Sequence, residues 1–357
     1  MKLYDNEQWI ADIDEAISVV PDLNELVGCK VMITGSTGLI CSAVVDVLAR
    51  WNATYAEKIG IIATGRNEAD VSSRFSYLVN EPWFDVMTYD SVSPILPKDF
   101  SCDYIIHGGG NASPNKIVSE PVETMMGNFL GTQCLLEYAK EHNLKRLLYI
   151  SSSEVYGRSE GNKPFKVNDY GYVDLLQPRS SYALGKRAAE TLCVSYGAEW
   201  GIDSVIVRPG HIYGPTARDS DNRVSSAWAY AAARGEDIVM KSDGAQIRSY
   251  CYVLDCVTAI LKVLLRGKSM NAYNISNPDA VISIKQLAEL LTKAGDCALR
   301  IELPNEIDKK GFNPMLNSSL DASELMALGW RGKFDAPTGI GHTVKILRAM
   351  LSPRKTQ

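Results

Sequence analysis

The chain has 357 residues, of which 46% are hydrophobic and 22% charged, and its formal net charge is -5. This length and apolar content suit one large or two moderate globular domains, and the negative charge argues against a nucleic-acid partner. No apolar run approaches the roughly 18 residues of a membrane span, so we expect a cytoplasmic protein with no membrane partner. The eight cysteines form no CxxC pair and the four histidines show no metal-ligand spacing, which favours reduced thiols and no metal site.

Apolar runs alternate with amphipathic segments along the first two thirds of the chain. This alternation is typical of an α/β fold with a doubly wound parallel sheet. The predicted strands are 30–34, 59–64, 84–87, 104–107, 147–151 and 204–207, and the predicted helices are 6–20, one through 44–48, 119–142 and 180–200. After about residue 215 the composition changes to irregular segments and short helices. We therefore expect a Rossmann-type dinucleotide-binding domain at 1–214 and, at 215–357, a smaller, mainly substrate-binding lobe with some segments returning to the first domain.

A glycine turn follows the first predicted strand, in the segment 34–41 (TGSTGLIC). Small residues between a buried strand and a helix let the backbone N–H groups of the helix N-terminus approach a pyrophosphate. The third glycine expected in such a turn is replaced by Cys41, whose small side chain is compatible with close helix packing. The cofactor-binding residues predicted here are Gly35, Ser36, Thr37, Gly38, Leu39 and Ile40.

The end of the second predicted strand indicates which dinucleotide is bound. A carboxylate there would bind the ribose hydroxyls of NAD, whereas an arginine neutralises the 2′-phosphate of NADP. Arg66 stands at this position and favours NADP, although it could be a solvated surface residue, and Glu68 or Asp70 could still reach the ribose. Asp90, after the next strand, is a candidate for contact with the adenine.

Tyr182 and Lys186 are four residues apart in a strongly helical segment, so their side chains leave the same helix face. A lysine beside a tyrosine stabilises the phenolate, which allows the hydroxyl to act as a general base. Such a pair also arises by chance on solvated helix faces. Its meaning therefore depends on the other motifs of the chain.

Seven motifs occur in order between about residues 29 and 285. They are the glycine turn at 35–38, IHGGG at 106–110, NFLGT at 128–132, SSSEVYG at 151–157, YALGK at 182–186, RPGHIYGP at 208–215 and QIRSYCYV at 246–253. In this order the chain resembles the extended short-chain dehydrogenases/reductases, specifically the group of nucleotide-sugar epimerases, dehydratases and decarboxylases. The resemblance implies an NAD- or NADP-dependent enzyme that acts on a nucleotide-sugar. It also implies a homodimer, because helices 119–142 and 180–200 form a four-helix interface in related enzymes.

The resemblance also assigns roles to individual residues. The additional cofactor contacts that it implies are Gly108, Gly109, Asn128, Tyr182, Lys186, Pro209 and His211, and the substrate contacts are Ser113, Ser153, His211 and Arg248. Relatives usually carry asparagine where His211 stands, which suggests an altered substrate. In the family the arginine matching Arg248 binds the substrate diphosphate, for which a bidentate guanidinium is well suited, while Asp255 is an alternative structural partner.

Two residues after the fifth predicted strand complete the candidate catalytic set. Ser152 follows a strand whose carboxyl end faces the cofactor crevice, so its hydroxyl can bind a substrate oxygen together with Tyr182. Glu154 could transfer a proton at a neighbouring sugar carbon, or it could be a structural acid paired with a nearby base. The predicted catalytic residues are thus Ser152, Glu154, Tyr182 and Lys186.

The expected reaction begins with transient oxidation of a sugar hydroxyl, most simply at C4, and the 4-keto sugar then epimerises, loses water or loses carbon dioxide. The triplet Ser152-Ser153-Glu154 resembles that of some dehydratases and of UDP-glucuronate decarboxylases, and the segments 178–182 (PRSSY) and 111–114 (NASP) also resemble the decarboxylases. Relatives that dehydrate dTDP-glucose usually have aspartate at the position of Ser153, which disfavours that subtype. A net NADPH-dependent reductase of a keto-sugar or other carbonyl substrate is the alternative, and Arg66 would suit it.

Overall fold

Seven parallel strands form the central sheet of the computed structural model, which describes residues 2–159, 161–302 and 315–352. The strands of the described chain are β1 (Lys30–Thr34), β2 (Gly60–Gly65), β3 (Phe84–Thr88), β4 (Tyr104–His107), β5 (Arg146–Ile150), β6 (Ser204–Pro209), β7 (His211–Tyr213), β8 (Ile238–Met240), β9 (Ile247–Tyr252), β10 (Ala272–Ile275), β11 (Val281–Ser283) and β12 (Leu299–Ile301). The central sheet has the order β10-β6-β5-β4-β1-β2-β3. This is the predicted doubly wound α/β fold, in which ligands bind at the carboxyl ends of the strands.

Helices cover both faces of the sheet. They are α1 (Glu7–Ser18), α2 (Leu39–Thr54), α3 (Glu68–Arg74), α4 (Pro114–Ser119), α5 (Pro121–Glu141), α6 (Ser180–Trp200), α7 (Val224–Arg234), α8 (Val253–Arg266), α9 (Ile284–Gly295), α10 (Ser323–Ala327) and α11 (Ala336–Leu351). Alternate strand residues enter two separate cores: Ile33 and Ile106 belong to the core that includes α2 and α8, and Met32 and Ile105 to the core that includes α5 and α6. Because both faces are covered, the strands are nearly continuous apolar runs.

The six predicted strands and the four predicted helices are all present, with small shifts at their ends. The seventh strand, β10, was not predicted, because it lies in the region after residue 215 whose composition suggested irregular segments and short helices. It pairs with β6, and α8 precedes it and packs on the central sheet. The region after residue 215 therefore contains more regular structure than its composition suggested.

A second, three-stranded sheet of order β11-β9-β7 continues from the carboxyl end of β6. Only Gly210 separates β6 from β7, and a Cβ atom there would lie 2.6 Å from the carbonyl oxygen of Ser249, so the position favours glycine. His211 pairs with Tyr250 in parallel register. This connection brings the residues of β7 and β9 next to the carboxyl edge of the central sheet.

Helix α1 is fixed to α2 by a buried carboxylate. Asp46 accepts hydrogen bonds from Trp9 Nε1 at 3.1 Å and from Tyr77 at 2.5 Å, and it pairs with Arg74 at 2.7 Å. A fully buried carboxylate is tolerated because these donors replace its water shell. The network orients α2, whose N-terminus points to the glycine turn.

Candidate active site

The glycine turn between β1 and α2 leaves the first turn of α2 without a capping side chain. Gly35 has a φ of +66°, a left-handed conformation that glycine adopts without strain. Gly38 caps α2 without a side-chain hydrogen bond to the first turn, and the Ser36 hydroxyl is buried without a partner among the described residues. Unpartnered N–H groups at a helix N-terminus favour an anion, so the turn fits the pyrophosphate of a dinucleotide.

The loop after β4 is held beneath this turn by Thr34, a role that sequence reasoning missed. The amides of Gly108 and Gly109 donate to Thr34 Oγ1 at 3.1 and 3.0 Å. Thr34 Oγ1 also lies 2.6 Å from His107 Nδ1, and burial lowers the pKa of His107 to about 3. The Thr34 hydroxyl therefore donates to a neutral imidazole. The only signal in the sequence was a polar residue at the end of a buried strand.

The adenosine end of the crevice contains the residues proposed to choose the cofactor. Arg66 is exposed directly after β2. Glu68 accepts hydrogen bonds from the backbone and side chain of Thr88 at 3.1 and 3.0 Å, both at Oε1, so one oxygen of this candidate for the ribose is engaged within the protein. Asp90 is half-buried after β3, and one of its oxygens accepts from the amide of Val92 at 3.0 Å. Arg66, Asp90 and the exposed Asp70 remain candidates at this end.

Helix α6 places Tyr182 and Lys186 against the carboxyl end of β5. Both side chains are buried, and Lys186 Nζ donates to the carbonyl oxygen of Ile150 at 2.7 Å. The same nitrogen lies 6.0 Å from the centre of the Tyr182 ring and 4.7 Å from that of Tyr149. An ammonium group has three donors, so two stay free of this carbonyl.

The acid-base properties of the pair differ from the sequence prediction, which expected a lowered pKa for Tyr182. Burial and the charge of Glu154 raise the pKa of Tyr182, a hydrogen bond from Ser152 and the charges of Arg223 and Arg179 lower it, and the net result is a pKa of about 12. Burial also lowers the pKa of Lys186 to about 8. Tyr182 is therefore a neutral phenol at rest, and it can act as a base only when more positive charge is near.

Ser152, Ser153 and Glu154 follow β5 in a short 3₁₀ turn, Ser153–Tyr156, which Ser152 caps. Glu154 forms a bidentate ion pair with Arg179, with N–O distances of 2.8 and 3.0 Å. The structural alternative for Glu154, pairing with a base, is thus realised in this structure. Arg179 stands three residues before Tyr182, one turn of the helix, and sequence reasoning gave it no role.

Arg248 on β9 is buried, and its guanidinium donates to the carbonyl oxygens of Ile247 and Met315 at 2.8 and 3.2 Å. The alternative partner Asp255 is bound instead to Asn277 at 2.9 Å and to backbone amides of the following segment. Among the described residues, therefore, no carboxylate neutralises Arg248. A buried cation paired only with carbonyl groups fits an anionic ligand.

The other predicted contacts lie around the same crevice. Ser113 begins α4 without using its side chain as a cap, and Pro209 ends β6. His211 is exposed at the start of β7, with its ring 5.5 Å from that of Tyr250. Asn128 is fully buried, and its amide group bonds to Thr124 and Tyr149, so it supports the crevice from behind and presents no free surface to a ligand.

A parallel sheet with a glycine turn, a Tyr-Lys pair on α6 and a serine after β5 defines an enzyme that uses a nicotinamide dinucleotide. Residues 31–276 match the family model described as "NAD dependent epimerase/dehydratase family", and the chain belongs to this family. In the described residues, no helix is long and apolar enough to cross a membrane.

Similar proteins include two named as decarboxylases. UDP-glucuronic acid decarboxylase 5 of Arabidopsis thaliana is 30% identical over 313 residues, covering 87% of each chain. UDP-glucuronic acid decarboxylase 2 of the same plant is 33% identical over 324 residues, covering 90% of this chain and 68% of the relative. The fold also matches a UDP-glucuronic acid 4-epimerase of Bacillus cereus in complex with UDP-glucuronic acid and NAD, with a TM-score of 0.73, 20% identity and coverage of 90% of this chain and 99% of the epimerase.

Proposed function

We propose that this protein is an NAD(P)-dependent nucleotide-sugar enzyme that decarboxylates a UDP-uronate through a transient 4-keto sugar. The observation that carries the proposal is the meeting of Ser152, Tyr182 and Lys186 at the carboxyl end of β5, where Lys186 is bonded to Ile150. The decarboxylase relatives, which match along most of the chain, support this choice among the three possible outcomes.

The first step needs a base at the sugar hydroxyl. Tyr182 takes the proton of the C4 hydroxyl, Ser152 orients that hydroxyl, and the charge of Lys186 favours the phenolate. An oxidised dinucleotide would supply the hydride acceptor, and the glycine turn 35–38 would hold its pyrophosphate and Lys186 its ribose. The resulting C4 ketone lies β to the C5 carboxylate.

The second step uses this ketone as an electron sink. The C5–C6 bond breaks, carbon dioxide leaves and its electron pair enters an enolate that the C4 carbonyl stabilises. Arg179 can hold the uronate carboxylate in exchange for Glu154. Glu154, once released from this ion pair, takes up a proton from solvent and delivers it to C5 of the enolate. Tyr182 returns its proton when C4 is reduced, so no external reductant is consumed.

In this proposal the three-stranded sheet, through Arg248 on β9, binds the nucleotide part of the substrate. Arg248 is buried without a carboxylate partner among the described residues, so the diphosphate of the substrate is the anion it would bind. Ser113, Ser153 and His211 would contact the sugar side. The asparagine amide of relatives offers two N–H donors and a carbonyl acceptor, whereas a neutral imidazole at His211 offers one donor and one acceptor, so the hydrogen bonds available to the sugar differ.

The cofactor and the oligomeric state belong to the same proposal. Exposed Arg66 after β2 supports NADP as the preferred dinucleotide. A homodimer is supported by exposed apolar residues on α5 and α6, namely Val122, Met125, Met126 and Val194. Sedimentation equilibrium of the protein and of Val122→Glu would test the dimer, which the charged variant should dissociate.

The experiment that tests the function is incubation with UDP-, GDP-, CDP- and dTDP-sugars, including UDP-glucuronate, and measurement of product masses. We expect loss of carbon dioxide from UDP-glucuronate without net formation of reduced nicotinamide, and a loss of rate of about a hundredfold to ten-thousandfold in Tyr182→Phe. Loss of water or an unchanged mass would point to the dehydratase or epimerase outcome. Turnover that requires added NADPH would instead establish the net reductase.

A further inference from the structure

Cys41 stands where dinucleotide turns usually carry their third glycine, the one that allows close packing of helix against strand. It lies in the first turn of α2 and is 4% exposed. Burial raises the pKa of its thiol to about 12, so it is a neutral thiol and a poor nucleophile. The remaining role for this side chain is to fill space.

The thiol fills the space that a side chain at position 108 would need. A Cβ atom built on Gly108 would collide with Cys41 Sγ, and it would lie 3.2 Å from Ile150 Cδ1. The φ of Gly108 is outside the left-handed region, so its backbone does not itself demand glycine. A side chain is therefore possible at 41 because none is present at 108.

The contact between these two residues joins the two backbone segments that line the cofactor crevice. Gly108 lies directly beneath the glycine turn, because a Cβ atom on Gly35 would be 2.9 Å from the Gly108 carbonyl oxygen. The amide of Gly108 is bonded to Thr34, the last residue of β1. Cys41 is also close enough to Lys186 for the ammonium charge to act on its thiol.

We propose that Cys41 and Gly108 are a size-complementary pair that sets the distance between the N-terminus of α2 and the loop after β4. Cys41 is thus a positioning residue for the dinucleotide. The inference rests on the dinucleotide-dependent function proposed above, but it concerns cofactor binding alone and not the fate of the sugar. Protein interiors are close-packed, so adding one methyl group at this contact would displace the backbone amides that face the pyrophosphate.

The test is a double-mutant cycle on the dissociation constant of NAD, and of NADP if that binds more tightly, measured by calorimetry. Gly108→Ala should weaken binding by about tenfold or more, since an overpacked contact must be relieved by moving the backbone. The double variant Cys41→Gly/Gly108→Ala should recover most of the loss. Cys41→Ser, which keeps the size, should bind as the wild type does, and Gly341→Ala, at a position with open space, is the matched control.

The inference is overturned if Gly108→Ala binds the dinucleotide as the wild type does, or if removal of the thiol fails to rescue it. A contact that only stabilises the fold would lower the melting temperature of Gly108→Ala without changing its affinity. If Gly108→Ala does not fold, Cys41→Val enlarges the pair from the other side and should weaken binding, and unchanged affinity would contradict the proposal. A wild-type protein that binds neither dinucleotide would instead refute the proposed function.

Discussion

Removal of the Lys186 ammonium should change how the stability of this protein depends on pH. Burial lowers the pKa of Lys186 from 10.5 to about 8. The charged form is therefore less favourable in the folded chain than in the unfolded chain. At about 1.4 kcal/mol per pKa unit, this costs about 3 kcal/mol of folding free energy at neutral pH.

The sign of the pH dependence follows from proton binding. Between pH 8 and pH 10.5 the unfolded chain holds a proton on this lysine that the folded chain has lost, so stability rises with pH. The cost is fully present below pH 8 and fades above it. From pH 7 to pH 10 the free energy of unfolding should therefore increase by about 2 to 3 kcal/mol through this lysine. Lys186→Met should not show this increase. The variant also loses the hydrogen bond to Ile150, but it does so at every pH. This loss therefore cancels when the change in relative stability between pH 7 and pH 10 is taken.

Urea unfolding of the wild type and of Lys186→Met at pH 7, 8, 9 and 10, without added dinucleotide, measures this recovery. We expect the stability of the wild type relative to the variant to increase by about 2 to 3 kcal/mol across the series. Lys98→Met, at an exposed position, controls for the loss of a lysine as such. A difference that stays constant across the series would refute the assignment of a strongly lowered pKa to Lys186.

Three further predictions concern charge. Arg66→Ala should weaken NADP by about tenfold or more and leave NAD almost unchanged, as calorimetry would show, and equal losses for both would contradict the assigned role. Glu154→Gln removes a charge that raises the pKa of Tyr182, so the rise of kcat with pH should begin at lower pH, and a shift to higher pH would be inconsistent. Arg208→Met should cost about 3–5 kcal/mol in urea unfolding because it leaves Glu190 buried and unpaired, and Arg208→Met/Glu190→Leu should recover most of this.

The fold and the candidate Tyr182–Lys186 pair could be predicted because their signals are local in the sequence. Apolar strands with helices between them specify a doubly wound sheet, and this architecture places every strand's carboxyl end at one edge. Spacing alone puts Tyr182 and Lys186 on one helix face, and in the folded chain both side chains are buried, with Lys186 bonded to Ile150. The strand β10 escaped prediction because the composition after residue 215 did not indicate strands, and its pairing with β6 is what places it in the central sheet.

Only the tertiary structure decided how the charges and volumes of distant segments act on one another. Burial of Tyr182 outweighs the hydrogen bond from Ser152 and the charge of Arg179 in setting its pKa, and Glu154 pairs with Arg179, which no spacing rule indicated. The fit between Cys41 and Gly108 likewise depends on two segments far apart in the chain. Local patterns therefore determined the fold and the identity of the candidate groups, whereas desolvation and packing, which depend on everything around a side chain, determined their chemical state.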